Sequence, residues 1–513
     1  MKKLLALLLA LCMVVGLIAC GKTAENPAGG TTGNSANNNN TEDDEPKETT
    51  PIREDISDIK EETLVLSTND VDSNDAYINP EKFAGKKLQI YGYDSIVFDD
   101  IENMGLGSYI WMMRAAIDEW ATLNQVEVTF AGDTIVSDML SAINSGEKPD
   151  IVMGSNEYPI LPNNGITRAF TEAEYEQLAK IAGPVWLDMM KYKGESHAIQ
   201  IPWGGNSLFH YNRTIFENAG AKSPKEYYLE GNWTWDTMED CFEATTKDVN
   251  GNGKIDTGDT YGSSSLYYLY EPYTLVEGED GKLTGIIGTS EQYARAREII
   301  YKGRTETLSI GLGTTIQQCY IATTPRPSTH IGDAEWYNFE HLYRTLDNGD
   351  IVEVVPVPVY TTENPIRSQL YTTRPMSIMS TCDEPEAALA LMSYILKVGM
   401  RYIADYSVGL FKCSYEGIRG ASEYSKAWKE NFEDVCEERR AAFAEIEDWD
   451  QECYEKMVSD IFAPETKTWP AKRYSGSEDP KEDTSSMPNA SALPILAKAQ
   501  DAWIAKYNSL YAN

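Results

Sequence analysis

The chain has 513 residues, 80 acidic and 44 basic, for a formal net charge of −36 at pH 7. A field of that sign repels nucleic acid and anionic lipid, which excludes both as partners recognised through charge. It says little about a small ligand, which meets only its local site.

The N-terminus predicts export. Lys2 and Lys3 precede an apolar stretch from Leu4 that ends near Ile18. That is short of the ~18 apolar residues of a spanning helix and fits a signal peptide over residues 1–19. Leu17-Ile18-Ala19-Cys20-Gly21 resembles a bacterial lipobox. The resemblance implies cleavage before Cys20, a diacylglycerol on its thiol, and a place on the extracellular face of the cell membrane. Two acyl chains matter, because one chain binds a membrane only marginally. No other segment is apolar enough to span a bilayer, so the lipid is the expected membrane contact. Residues 20–85 read as a disordered tether: the Gly/Asn/Thr-rich start includes Asn37 to Asn40 and runs into the acidic Glu42 to Glu45. Such a chain of roughly 60 residues has a span on the order of 40 Å.

Roughly 430 residues remain, which is too long for one ordinary core and suits two lobes. Lys87 to Tyr93 predicts a strand. Ile110, Met113, Ile117 and Trp120 share a helical face, Glu127 to Phe130 returns as a strand, a short helix around Met139 to Ile143 stops at Gly146, and Asp150 to Met153 is a third strand. This alternation predicts an α/β fold with a mostly parallel sheet, whose ligands sit beyond the C-terminal strand ends. Ile351 to Tyr360 is strand-like but broken by Pro356 and Pro358, as in a strand leaving its sheet. Pro385 opens a helix with Ala388, Leu391, Met392, Ile395 and Leu396 on one face and Gly399 near its end. The sequence from about Tyr415 is helix-rich. Beyond Cys12 and Cys20, six cysteines remain: Cys241, Cys319, Cys382, Cys413, Cys436 and Cys453. An even count outside the cell is compatible with bridges or with free thiols.

Five segments, in order, resemble the extracellular solute-binding proteins of ABC importers, in the family that includes maltose-type sugar binders. They are Ser141 to Val152, with its Gly146 and Pro149-Asp150; His197 to Pro202; Phe209 to Phe216, closed by Gly220; Asn232-Trp233-Thr234-Trp235-Asp236; and Pro385-Glu386-Ala387-Ala388. The resemblance implies a two-lobed, type II periplasmic-binding-protein-like fold with a hinge between lobes. Lobe one would hold 86–200 and 361–407, and lobe two 203–355 and 408–513. The chain would cross at Gln200 to Asn206, at Val354 to Tyr360 and near Ser407. It also implies a non-catalytic monomer that closes on a small ligand, such as a mono- or oligosaccharide, and delivers it to a permease.

Aromatic faces stack on sugar rings while amides and carboxylates bond the hydroxyls. The candidate ligand residues are therefore Tyr93, Asp94, Asn156, Trp203, Asn206, Trp336 and Arg374, at strand ends and crossings. A peptide, a polyol or another polar solute is the alternative within the same fold. A secreted carbohydrate-active enzyme is the alternative from another class, and a sensor subunit presenting ligand to a membrane receptor is a third.

One further motif is local. Asp248 to Asp259, DVNGNGKIDTGD, follows the EF-hand calcium loop, with ligands expected from Asp248, Asn250, Asn252, the Lys254 carbonyl, Asp256 and Asp259. Gly253 permits the sharp turn. Position 12 is Asp rather than Glu, and positions 3 and 5 are neutral. The expectation is a structural Ca2+; a hydrogen-bonded Asx/Gly turn has the same shape.

Overall fold

The computed structural model describes residues 74–92, 109–131, 136–154, 160–202, 206–256 and, with further gaps, 258–510. All belong to one compact unit, Arg53–Asn513. Structure begins earlier than the expected residue 86. Asn79 caps a helical turn, Pro80–Phe83, by accepting from Lys82 N, and Phe83 is buried. A buried aromatic supplies what the sequence before it lacks, an apolar group to offset chain entropy.

The first half opens with β1 (Lys87–Tyr91), whose Leu88 and Ile90 point into the core. Helix α1 (Tyr109–Asn124) follows, with Trp111, Met112, Met113, Ala115, Ala116, Ile117 and Trp120 all buried. A helix apolar on that much of its circumference must be covered on more than one side. β2 (Glu127–Phe130), α2 (Val136–Asn144) and β3 (Ile151–Met153) complete the strand–helix alternation read from the sequence. β1 pairs in parallel with both β2 and β3. Then come α3 (Glu172–Ala182), held by a Thr171 capping box, the small hairpin β4 (Lys191–Tyr192) and β5 (Glu195–Ser196), and β6 (Ile199–Gln200).

The second half starts at β7 (Asn206–Asn212) and continues through α4 (Arg213–Ala219), α5 (Pro224–Leu229) and α6 (Trp235–Thr245). Asn212 caps α4, and Gly220, at φ 62°, closes it in the left-handed region where a glycine costs least. Thr234 caps α6, as its position before Trp235 predicts. β8 (Thr260–Ser263), the hairpin β9 (Leu275–Glu277) and β10 (Leu283–Gly285), α7 (Glu291–Thr305), β11 (Arg326–Ala334), β12 (Tyr343–Thr345) and β13 (Ile351–Pro356) follow. Past a short β14 (Ser368–Gln369), the chain returns as β15 (Pro375–Ile378), α8 (Pro385–Gly409), α9 (Glu423–Ala444) and, near the C-terminus, α10 (Asn489–Ser509).

Two five-stranded sheets result. The first has the order β2-β1-β3-β15-β6, and the second β12-β13-β7-β11-β8. β13 is an interior strand although it ends in a proline. Pro356 sits at its last position, opposite Leu208, and the strand stops there.

Three features depart from the sequence reading. α8 runs past Gly399 to Gly409, because burial of Leu396, Val398 and Met400 outweighs the ~1 kcal/mol that an interior glycine costs. The expected crossing near Ser407 is therefore a stretch of continuous helix. Beyond it, α9 packs along α1 of the first half, with Ile418, Trp428 and Phe432 in the main core. Part of 408–513, expected with the second lobe, thus covers the first.

Candidate functional site

Strand register decides where the ligand candidates can meet. In the first sheet Tyr91 lies opposite Val152, Met153 opposite Met376, and Gln200 opposite Pro375. The ends of β1, β3 and β6 and the start of β15 therefore share one edge. In the second sheet Asn206 lies opposite Ala334 and Leu208 opposite Pro356. The start of β7 and the ends of β11 and β13 share an edge in turn.

The chain joins these two edges directly. Ile201 and Pro202, both buried, lead out of β6, and β7 begins at Asn206. Six peptide steps cannot separate Gln200 and Asn206 by more than about 21 Å. At this crossing the two sheet edges are thus held within about 21 Å of each other.

Tyr93, Asp94, Asn156, Trp203, Trp336 and Arg374 lie outside the described residues. Asn206 is described through its backbone, which opens β7. In sequence, each of the seven begins, immediately precedes or lies within three residues of a strand terminus on one of these two edges. Two residues of the family-like segments have structural roles instead. Asp150, buried, accepts from Gln89 N at 2.8 Å and clamps β3 to β1. Burial pushes its carboxyl above the usual range, against the pull of that N–H. Tyr91 donates to Glu147 at 2.9 Å.

The second crossing is braced in a way that sequence reading missed. Trp233 Nε1 donates to Pro356 O at 2.8 Å, and Trp235 Nε1 to Pro358 O at 3.1 Å. Val359 exchanges backbone bonds with Trp233 and Trp235. Prolines break the ladder by lacking an N–H, and two indoles donate to the carbonyls of these two prolines. The available signal was the coexistence of an unpaired Pro-x-Pro segment with a Trp-x-Trp segment.

The loop after α6 folds as a closed ring. Lys247 and Thr260 exchange backbone hydrogen bonds at its neck, at 2.9 and 3.2 Å. Asp248 accepts from Gly251 N and Gly253 N, each at 2.6 Å, and from Asn252 N at 3.1 Å. Asn250 Oδ1 accepts from Asn252 N at 3.0 Å, and Asn252 Oδ1 from Lys254 N at 2.8 Å. Both amide Nδ2 groups turn towards Asp256, at 3.0 and 2.8 Å. Asp259 is fully buried and accepts from Val249, Asn250 and Asp256 N–H groups, which hold its carboxyl below the usual range, the Asp256 N–H foremost.

Among the described residues, no three His, Cys, Asp or Glu side chains converge as a metal group. The loop's oxygen donors nonetheless suit a hard cation. In this structure the Asn250 and Asn252 amides face Asp256 with nitrogen, while their oxygens accept from loop N–H groups. Ile255, in the same loop, is half-buried. Cys241, Cys382 and Cys453 are free thiols, and no helix among the described residues is long and apolar enough to cross a membrane.

Residues 111–312 match the family model for bacterial extracellular solute-binding proteins. No curated protein matches the chain at a significant level. Among solved structures, an ABC substrate-binding protein from Listeria monocytogenes, in complex with cycloalternan, aligns at 12% identity with a TM-score of 0.52. The alignment covers 83% of this chain and 99% of that one. The maltose/maltodextrin-binding domain from Bdellovibrio bacteriovorus bound to maltotriose aligns at 16% identity and TM-score 0.44, over 82% and 99%. The GacH receptor of Streptomyces glaucescens, solved unliganded and in complex with acarbose, aligns at 12% and 0.48, over 83% and 99%. The Listeria structure shows the fold, a two-lobed, type II periplasmic-binding-protein-like architecture, and the family model that residues 111–312 match is one of solute-binding proteins.

Proposed function

We propose, for a chain whose residues 111–312 match the family model of bacterial extracellular solute-binding proteins, that it captures a mono- or oligosaccharide between its two sheets and hands it to an ABC permease. The observation that carries this reading is the pair of sheet edges joined at Gln200–Asn206, around which the aromatic and amide candidates cluster in sequence. The Listeria structure with cycloalternan supports a carbohydrate ligand. The chemistry is stacking from Trp203, Trp336 and Tyr93, with hydrogen bonds from Asp94, Asn156, Asn206 and Arg374. Lobe one comprises the chain around the first sheet and lobe two that around the second, and the ligand closes them as a monomer.

Thermal unfolding across cycloalternan, maltotriose and a panel of peptides tests this. A ligand at 100 times its Kd stabilises the native state by about 2.7 kcal/mol. Trp203→Ala is expected to weaken binding about thirtyfold, the size of a buried aromatic anchor. Stabilisation by peptides alone would replace the sugar with another solute in the same fold.

Cys20 is the proposed lipid anchor, holding the protein on the extracellular face. Metabolic labelling with an alkyne fatty acid should mark the native chain and lose all signal in Cys20→Ser. Equal labelling of both would end the proposal.

Calcium is the proposed occupant of the 248–259 loop, held by Asp248, Asn250, Asn252, the Lys254 carbonyl, Asp256 and Asp259, with a structural role. Millimolar calcium should raise the unfolding temperature of the native chain over that in a chelator. In Asp248→Ala, which also removes three N–H acceptor contacts, the unfolding temperature should no longer respond to calcium. An equal response in both would show that calcium acts elsewhere.

A further inference from the structure

The second crossing between the halves divides at Tyr360 into two parts of opposite character. Before it, the chain is tied to the second half residue by residue. Pro356 closes the ladder of β13 on β7, opposite Leu208. The indoles of Trp233 and Trp235 hold the carbonyls of Pro356 and Pro358. Val359 N donates to Trp233 O at 3.2 Å and Trp235 N to Val359 O at 2.9 Å, so that Thr234 lies opposite Val359 as in a parallel ladder. Tyr360 then sets its ring edge-on to Trp235, with centroids 5.1 Å apart.

The clamp is itself anchored in the second half. Trp233 packs edge-on against Phe209 of β7 at 4.9 Å, Trp235 opens α6, and both indoles are buried. Pro356 and Pro358 add stiffness, because their rings fix φ. Bending the chain between 356 and 360 would break four hydrogen bonds together and leave two buried indole donors unmet.

After Tyr360 the bonds close on themselves. Asn364 N donates to Thr361 O at 3.0 Å, and Asn364 Oδ1 accepts from Thr361 N at 3.0 Å and from the Thr361 hydroxyl at 2.8 Å. Thr361, Thr362 and Glu363 are exposed. Among the described residues, no hydrogen bond or ion pair joins 361–364 to either half. Beyond the turn the chain is held again: Ile366 packs on the main core, and Pro375 of β15 pairs with Gln200 in the first sheet.

We propose that 356–360 moves as part of the second half, and that the turn 361–364 is the pivot of this crossing. A hinge is a short stretch that absorbs a change in φ and ψ while its neighbours stay packed. The turn can change shape without breaking a bond to either half, and the clamped segment cannot. The expected crossing at Val354 to Tyr360 is thus the fixed arm of the hinge, and the moving part lies one turn further on. The inference rests on the closure proposed above and deepens it. Its test needs no ligand, so the two can fail separately.

Hydrogen exchange in the ligand-free full chain, read at single amides by mass spectrometry, is the first arm. Val359 N–H should exchange as slowly as the strand amides of β13, and Asn364 N–H at least about tenfold faster, because opening the turn alone releases it. Trp235→Phe keeps an aromatic ring and removes the donor to Pro358 O. It should speed exchange at Val359 about fivefold, the weight of one hydrogen bond, and leave Asn364 unchanged. The second arm reads the motion itself, as the width of the distance distribution between spin labels on unnatural side chains at Glu176 of α3 and Ala244 of α6, both exposed. Thr362→Pro, at the second position of the turn where a fixed φ is favoured, should narrow the distribution. Trp235→Phe, which lengthens the free segment, should widen it. Circular dichroism and the unfolding temperature establish that each variant is folded. Opposite changes in width support the pivot. A width that either folded variant leaves unchanged overturns it, as do changes in one direction, or exchange at Val359 as fast as at Asn364 in the native chain. A chain that meets these expectations but is stabilised by no saccharide keeps the pivot and loses the sugar.

Discussion

Glu119→Ala lowers stability by about 3 kcal/mol, because one buried carboxylate accepts from three successive backbone N–H groups. Glu119 is fully buried on α1. It accepts from Arg419 N through both oxygens, at 2.7 and 3.1 Å, and from the backbone of Gly420 and Ala421. These bonds secure the segment that leads into α9. Glu119→Gln keeps one acceptor oxygen and should lose about half as much.

The pH dependence separates the variants from the native chain. Burial pushes the Glu119 carboxyl above its ordinary value, and the N–H donors only partly oppose this. A carboxyl raised in the folded state contributes stability below the unfolded value of about 4.3, and loses it as pH rises through the folded value. The glutamine variant cannot ionise. Its deficit against the native chain is therefore largest at low pH and shrinks as pH rises from about 4.3. Urea unfolding at a series of pH values measures this, and parallel curves would refute it.

Trp120→Ala costs about 3–5 kcal/mol, the range for truncating a large buried aromatic. Trp120 has no exposed surface and packs on Phe83, ring centroids 5.9 Å apart. Its Nε1 donates to Tyr77 O at 2.9 Å, and one turn on, Asn124 Oδ1 accepts from Asn79 N at 2.6 Å. The indole thus fills the core and fastens residues 77–83 to α1. Trp120→Phe keeps much of the ring and removes the donor, for a loss of about 1–2 kcal/mol. Denaturant unfolding gives both values, and hydrogen exchange at 74–84 should rise in either variant. A cost below 1 kcal/mol for the alanine variant would mean that the site collapses without a cavity.

The alternation β1-α1-β2-α2-β3 was legible because each element carries its own period and its own stop, as at Gly146. The helix at Pro385 was legible by its apolar face, though its end was not: glycine at 399 is a local signal, and the burial that overrides it is tertiary. The helix cap at Thr234 was read correctly. The indole bonds from Trp233 and Trp235 to the proline crossing were not, because the partners stand more than 120 positions apart and no local rule joins them. The same holds for α9 on α1.

For the ligand site, sequence reasoning identified residues next to strand ends. The strand register shows that those ends fall on two edges joined by a crossing. The calcium motif was plain in sequence because its donors are all local. Its alternative was equally plain, since the backbone bonds that close the loop are those of an Asx turn.

The contact between Glu119 and Arg419 spans 300 positions, which bears on the order in which the protein is made. At about 5–20 residues per second, the partner of α1 leaves the ribosome some 15–60 s after the helix itself. Through that interval the face of α1 that will receive Trp428 and Phe432 has no cover of its own. The first half, although begun at Asn74, is finished among the last parts of the chain. A protein built in this order gains little from folding as it emerges, and is suited to being kept unfolded until its synthesis is complete.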